Sequence, residues 1–348
     1  MGLSHKNFPE TKDRVNTAIT ASSTKSRYKP LKSIFLRLQY NWTRQYFMKH
    51  PHVTAMCWNG TKGSRGVFMS AAKDSGVKTV FLERSPFQNY IVADIRGINV
   101  ACGLPQNPLF YLTWSKNKAQ PLNKKLYQQY LHKRRPLSKK HVQHKPATSS
   151  LKHSKYIFCP LQVNDDTQIT LYSPWIQNNY EYLEILSIVS ESLPEGWHLR
   201  IKEHPSSRLD LAGLIKTYES KKLRLDNTTD SFEQTEHAHA VLTINSSLGL
   251  QSFLFDKPVI TLGQTFYSFE NMTTQVNDIK TLQDILSKPQ ELTFNAPLRE
   301  AFIQYLFEEY YVKITPENSE EKKFFVFLSA AKKFLKKLLP RKLFQSHH

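Results

Sequence analysis

The sequence is poor in cysteine and short of acidic residues, and it lacks any long apolar run. Three cysteines, Cys57, Cys102 and Cys159, are spread over 348 residues without a CxxC pair. That odd number and wide spacing argue against a disulfide framework or a thiolate zinc site and fit a reducing compartment. No apolar run is long enough to span a bilayer. The amino terminus, MGLSHKNFPETK, has no apolar core of the signal-peptide kind. Lys6 stands where a myristoylation signal requires Ser or Thr. Membrane contact is therefore expected to be peripheral. The chain carries no Walker loop, no GxGxxG fingerprint, no evident metal site and no internal repeat. No RRM, KH or helix-turn-helix signature occurs, so nucleic acid is not the expected partner.

What the chain has is positive charge. Lys and Arg number 48 against 29 Asp and Glu, a formal net charge of +19. Such an excess calls for a polyanionic partner: nucleic acid, anionic lipid or a phosphorylated substrate. A hydrophobic content of 40% argues for a folded protein. The length favours two domains over one.

Hydrophobic patterning gives the organisation. Residues 1–46 read as a basic extension ending in a lead-in helix. "HVTAMCWNG", "SRGVFMSAAKDSG" and "VKTVFLE" then read as strand, helix and strand, a βαβ unit that argues for a parallel sheet. Residues 47–115 form a first Rossmann-like domain. Residues 116–153, rich in Lys, Arg, His, Gln and Pro, are a linker with a helix around Leu122 to Leu131. Residues 154–300 alternate again: "YIFCPLQV", "HLRIKEHP", "LRLDN", "HAVLTIN" and "PVITLG" are strands separated by helices. Residues 301–348 are a helical tail. The expected class is α/β and GT-B-like: two Rossmann-like domains facing a cleft, with a carboxyl-terminal amphipathic helix.

Three stretches in the second half carry chemistry. In "HAVLTINSSLGLQ", Asn245, Ser246 and Ser247 lie at a helix amino terminus, where main-chain N–H groups and the macrodipole favour an anion. The simple alternative is an N-cap. In "WHLRIKEHP", Lys202, Glu203 and His204 close a strand that Pro205 terminates. There an imidazole can meet a phosphate leaving group. A polar strand end is the plain alternative. In "CPLQVNDDTQI", Gln162, Asp165, Asp166 and Gln168 follow a strand, as a nucleophile or base with its surroundings, or as an Asx turn.

Taken together and in order, "PLQVNDDTQI", "IKEHP" and "HAVLTINSSLGLQSFLFDKPVITLGQTFY" resemble the capsular polysaccharide β-Kdo transferases of Gram-negative bacteria. The likeness extends from Cys57 to Tyr267, includes "TVFLERSPFQNYIVADIRGIN", and is nearer the initiating S-type member than the repeated-module C-type. It implies a GT-B fold, CMP-Kdo as donor substrate, no cofactor and retention of anomeric configuration. It makes His204 and Pro205 the HP motif and Ser246 and Ser247 the serine motif, which hold CMP. Gln162, Lys202, Glu203 and Asn245 complete the expected donor site. Asp166 matches the family's acid and, with His204, is the expected catalytic residue. Glu83 and Asn99 fall in the acceptor-side motif. The resemblance further implies a lipid or glycolipid acceptor, an anionic membrane surface and capsule assembly or export proteins as partners, and a place on the inner face of the bacterial inner membrane.

The tail "KKFFVFLSAAKKFLKKLLPRKLF" reads as a basic amphipathic helix that lies on anionic lipid or packs on the protein itself. Two rival readings stay open. One is a GT-B transferase using CDP-glycerol or another CMP-sugar. The other is a non-catalytic protein that binds anionic lipid or nucleic acid.

Overall fold

The computed structural model describes residues 7–22, 28–118, 123–132, 149–163, 167–204 and 212–314. The chain divides into two units, Met1–Gly103 with Tyr305–His348, and Leu104–Gln304.

The first unit opens with α1 (Thr11–Thr20) and α2 (Lys29–Lys49), then β1 (Thr54–Trp58), α3 (Gly63–Asp74), β2 (Lys78–Arg84) and β3 (Tyr90–Asp94). The expected βαβ unit is present: β1 and β2 pair in parallel, Thr54 opposite Lys78, with α3 between them in sequence. The residues read as an extension are not an appendage. Val15 and Ala18 of α1 and Leu36, Tyr40 and Phe47 of α2 are buried, and α1 and α2 pack on each other and on α3. Arg14 grips Asp74 at the end of α3 with two hydrogen bonds of 2.9 and 2.8 Å. This sheet departs from an all-parallel one. Five residues join β2 to β3, too few for a crossover, so the pair is antiparallel. Asn89 takes a left-handed conformation in that turn (φ 64°), which Asn tolerates better than most residues.

The second unit contains α4 (Pro108–Lys116), α5 (Lys124–His132), α6 (Ser149–Lys152), β4 (Lys155–Pro160), α7 (Thr167–Tyr172), α8 (Asn179–Ser190), β5 (Trp197–Lys202), α9 (Ala212–Tyr218), β6 (Leu223–Leu225), α10 (Ser231–His237), β7 (Ala240–Thr243), α11 (Ser247–Gln251), β8 (Val259–Thr261), β9 (Thr274–Gln275), α12 (Ile279–Leu286) and α13 (Ala296–Tyr305). Its sheet is wholly parallel, in the order β6-β5-β4-β7-β8-β9. The central strands β4, β7 and β8 are buried but for Lys155 at the start of β4, which is why they read as apolar runs. Ile157, Cys159, Leu199, Ile201 and Leu242 pack with Leu183 and Leu186 of α8 in one core. Cys159 is fully buried and burial pushes its thiol up, so it behaves as a core residue.

After α13 the chain returns to the first unit. Strand β10 (Tyr311–Lys313) pairs antiparallel with β3, giving the order β1-β2-β3-β10. The segment expected as a helical tail begins helical, with the end of α13 and a turn of π-helix over Leu306–Tyr310, and then departs from that expectation in strand β10. The amphipathic stretch after it lies outside the described residues.

Candidate functional site

In the sheet of the second unit the chain runs outward from β4 through β5 to β6, and outward again from β7 through β8 to β9. The order therefore reverses between β4 and β7. Beyond the carboxyl ends of two such strands the connections diverge, and the sheet leaves a crevice open for a ligand. Gln162 follows β4 and Asn245 follows β7, so both expected residues stand at this switch point.

They are joined directly. Gln162 Nε2 donates to Asn245 Oδ1 at 3.0 Å, and the Asn245 main-chain N–H donates to Gln162 Oε1 at 3.1 Å. Both side chains are buried. Asn245 Nδ2 donates further to the Gln168 carbonyl at 2.7 Å, and Asn179 Nδ2 to the Gln162 carbonyl at 2.6 Å. Among the described residues, these amides form a buried hydrogen-bonded network at the strand ends. Gly263 at the end of β8 admits the network: a Cβ there would meet the Tyr172 carbonyl and Asn245 Nδ2 at 3.0 and 3.1 Å.

The serines follow at once. Ser246 is the N-cap of α11, its Oγ accepting from Leu248 N at 3.2 Å. The capping role is thus realised, and it leaves the hydroxyl proton of Ser246 to donate elsewhere. Ser247 begins the helix and is exposed. The Tyr267 hydroxyl donates to the Ser246 carbonyl and lies where a Cβ on Gly249 would stand. Glycine at that position lets Tyr267 fix the turn.

The end of β5 is the neighbouring rim. Leu161 N donates to the Lys202 carbonyl at 2.9 Å, so the two strands remain paired up to the crevice. Lys202 is buried, and its Nζ donates to the Asn227 and Thr229 carbonyls at 2.8 and 2.7 Å. Its ammonium is engaged inside the protein, where it pins the loop between β6 and α10. Glu203 is held on the same loop: its N–H donates to Asn227 Oδ1 at 3.0 Å, and Asn227 Nδ2 donates to Glu203 Oε2 at 2.8 Å. His204 follows, half-buried. Asp165, Asp166 and Pro205 lie outside the described residues.

Asn227 and Thr229 were not singled out from sequence. The "LDNTTD" run that holds them is itself locked by Asp226. Burial raises the Asp226 carboxyl, but hydrogen bonds from the Thr229 hydroxyl and N–H, from Arg200 and from Thr228 outweigh it and hold the group well below the usual carboxylate range. Arg200 Nη2 meets it at 2.7 Å.

The acceptor-side residues lie in the first unit. Glu83 is the penultimate residue of β2, and its Oε2 accepts from Asn59 Nδ2 at 2.8 Å beyond the end of β1. Asn99 sits in the loop after β3 with φ 55°. Asp94 organises that loop, accepting from the N–H groups of Arg96, Gly97 and Gly103 at 2.7, 3.2 and 2.7 Å. Antiparallel pairing sets Phe81 opposite Asp94 and Glu83 opposite Val92. The loop therefore leaves toward the amino end of β2, and the sheet does not itself carry Glu83 and Asn99 to one strand end. Among the described residues, no group of three or more His, Cys, Asp or Glu side chains is placed to hold a metal ion.

The sequence model of the capsule polysaccharide biosynthesis protein family matches residues 122–314, more than half of the chain. The chain belongs to this family. As a capsule polysaccharide biosynthesis protein it is 28% identical to Protein FixF of Sinorhizobium fredii (strain NBRC 101917 / NGR234) over 79% of its length and 62% of that protein's. It thus spans under two thirds of FixF. It is 23% identical to the capsule polysaccharide modification protein LipB of Neisseria meningitidis serogroup B, covering 79% of this chain and 76% of that one. Among solved structures it resembles Thermosulfurimonas dismutans KpsC, beta Kdo 2,7 transferase, with a TM-score of 0.51 at 20% identity, over 83% of this chain and 89% of that chain. That likeness is one of fold, and it bears out the α/β, GT-B-like class expected from the sequence.

Proposed function

We propose that this chain is a glycosyltransferase of capsular or related surface polysaccharide synthesis, transferring Kdo from CMP-Kdo, with retention, to a lipid or glycolipid acceptor at the inner membrane surface. The observation that carries the reading is the buried Gln162–Asn245 pair at the switch point of the parallel sheet, which sets Ser246 and Ser247 beside the crevice. A network of amides and hydroxyls suits a nucleotide monophosphate, and His204 on the adjoining rim suits protonation of its departing oxygen. The family, to which the chain belongs, supports the pathway. The resemblance of the HP and serine motifs supports the donor.

In this reading the bond between the Kdo anomeric carbon and the CMP phosphate oxygen breaks, and the electron pair leaves with CMP. The anomeric carbon carries a carboxylate and has no hydroxyl on its C3 neighbour, so it acquires oxocarbenium character. Asp166 attacks that carbon on the face opposite the departing CMP. The acceptor hydroxyl then attacks from the face CMP vacated, its proton passing to the now neutral His204, and releases the Asp166 carboxylate, giving retention. The reaction needs no cofactor. Capsule assembly or export proteins belong to the same reading as its partners.

The test is nucleotide release. Purified protein is given CMP-Kdo, CDP-glycerol and UDP-sugars with a lipid acceptor. Release of CMP from CMP-Kdo alone is expected. Turnover of CDP-glycerol or a UDP-sugar in its place overturns the donor, and turnover of none overturns the enzyme.

A further inference from the structure

Helix α2 is apolar on two sides. Leu36, Tyr40 and Phe47 face inward and are buried, which accounts for its packing on α1 and α3. Leu31, Ile34, Phe35, Trp42 and Tyr46 are 50–72% exposed. At about 100° per residue, Leu31, Phe35, Trp42 and Tyr46 fall within about 60° of arc, well away from the buried face. Burial within the protein explains one side only. An apolar stripe of this extent on the outside of a folded unit marks a surface that another phase or molecule covers.

The stripe continues off the helix. Trp42 and Tyr46 are also walls of a groove of ≈ 590 Å³ whose other walls include Phe47, Val53, Met56 and Phe68. The groove runs beside β1, the edge strand of its sheet.

Charge decides what the surface fits. No acidic residue occurs between Asp13 and Asp74. Helix α2 carries Lys29, Lys32, Arg37, Arg44 and Lys49 and no carboxylate, and Lys29, Arg37 and Lys49 are exposed. The chain's own tail, with Lys332, Lys333, Lys336 and Lys337, has the same sign. A second copy on a two-fold axis would set like charges against each other. An anionic surface matches both the stripe and the cations. Trp and Tyr on such a stripe suit the boundary between headgroups and acyl chains. Among the described residues no helix is long and apolar enough to cross a membrane, so α2 would lie on a bilayer and not span it.

We propose that α2 is a membrane-docking face, lying in the headgroup region of an anionic leaflet with Leu31, Ile34, Phe35, Trp42 and Tyr46 toward the acyl chains. The proposal does not rest on the identity of the sugar donor.

The experiment uses the full chain and vesicles of phosphatidylcholine with or without phosphatidylglycerol. The protein pellets with the anionic vesicles, binding falls as salt rises, and Ile34→Glu with Phe35→Glu reduces binding at least ten-fold. Nucleotide release with a water-soluble acceptor stays at the wild-type level in that variant, which separates this proposal from the donor reading. Brominated phosphatidylglycerol quenches Trp fluorescence in the wild type, and Trp42→Phe removes most of that quenching. Should the double variant unfold, Trp42 quenching decides alone. Equal pelleting of a folded double variant and the wild type overturns the proposal. So does binding without quenching at Trp42, or a stripe that proves to be a dimer contact, lost in the variant with vesicle binding unchanged.

Discussion

Gln162 and Asn245 exchange two hydrogen bonds in a place closed to water, so neither can be truncated without leaving the other's polar atoms unpaired. Gln162→Leu is expected to lower stability by about 1–3 kcal/mol and to weaken nucleotide binding. Denaturant unfolding and CMP titration check both. Behaviour like that of an exposed Gln would remove the pair from the site. Charge-assisted or N-terminal contacts to a phosphate are worth about 1.5–3 kcal/mol each. His204→Ala, and Ser246→Ala with Ser247→Ala, should therefore each reduce donor use by roughly ten- to a hundred-fold in a folded protein. Wild-type CMP affinity and turnover in both would place the nucleotide elsewhere. Asp166→Asn is expected to lose turnover by orders of magnitude while still binding CMP, with Asp165→Asn much milder. An active Asp166→Asn enzyme, or an inverted linkage in the product, ends the nucleophile assignment.

At the scale of elements, the turn between β7 and α11 depends on a glycine. Gly249→Ala would drive a methyl group into the Tyr267 hydroxyl and is expected to cost about 1–3 kcal/mol. Tyr267→Phe should relieve part of that cost by removing the obstructing oxygen. A Gly249→Ala protein as stable as wild type would show that the turn yields. Strands β4, β7 and β8 were legible because each is a short apolar run buried along most of its length, such as "YIFCP", and Gln162 and Asn245, which the structure joins, follow two of those runs directly. Lys202 was not legible in the same way. A lysine at a strand end reads as a ligand contact, and only the carbonyls of Asn227 and Thr229, which arrive from another loop, show where its charge is used. Helix α1 was hidden for a similar reason. Its apolar residues are few and its surroundings basic, so composition suggested an extension, while packing against α2 and α3 is a long-range fact. Strand β10 has three residues and no periodicity to detect.

For the whole molecule, acid sensitivity follows from His198. It is buried and its Nε2 has no hydrogen-bond partner. Burial, reinforced by Arg224 and Arg200, lowers its pKa to about 4. The unfolded chain binds this proton near the usual pH of about 6.5, so stability is fully present above that value. It declines as pH falls from 6.5 toward 4, by no more than about 3 kcal/mol. Asp226 adds a second loss below the ordinary carboxylate range, where the unfolded chain binds a proton that its depressed native carboxyl still refuses. Chemical denaturation between pH 7 and 4 should show the first decline, and His198→Phe should flatten it; an unchanged slope would assign the acid limb to other groups. The return of β10 has a consequence for synthesis. About two hundred residues separate β3 from its outer partner, and an entire parallel sheet is encoded between them. A ribosome therefore releases the second unit's strands while the edge of β3 is still bare. That edge, with Ile91 and Val92 on it, offers open hydrogen bonds to other nascent chains until Lys313 emerges. Stalled or truncated products ending before Tyr311 should accumulate in aggregates in which the later-made sheet is folded and the first-made one is not.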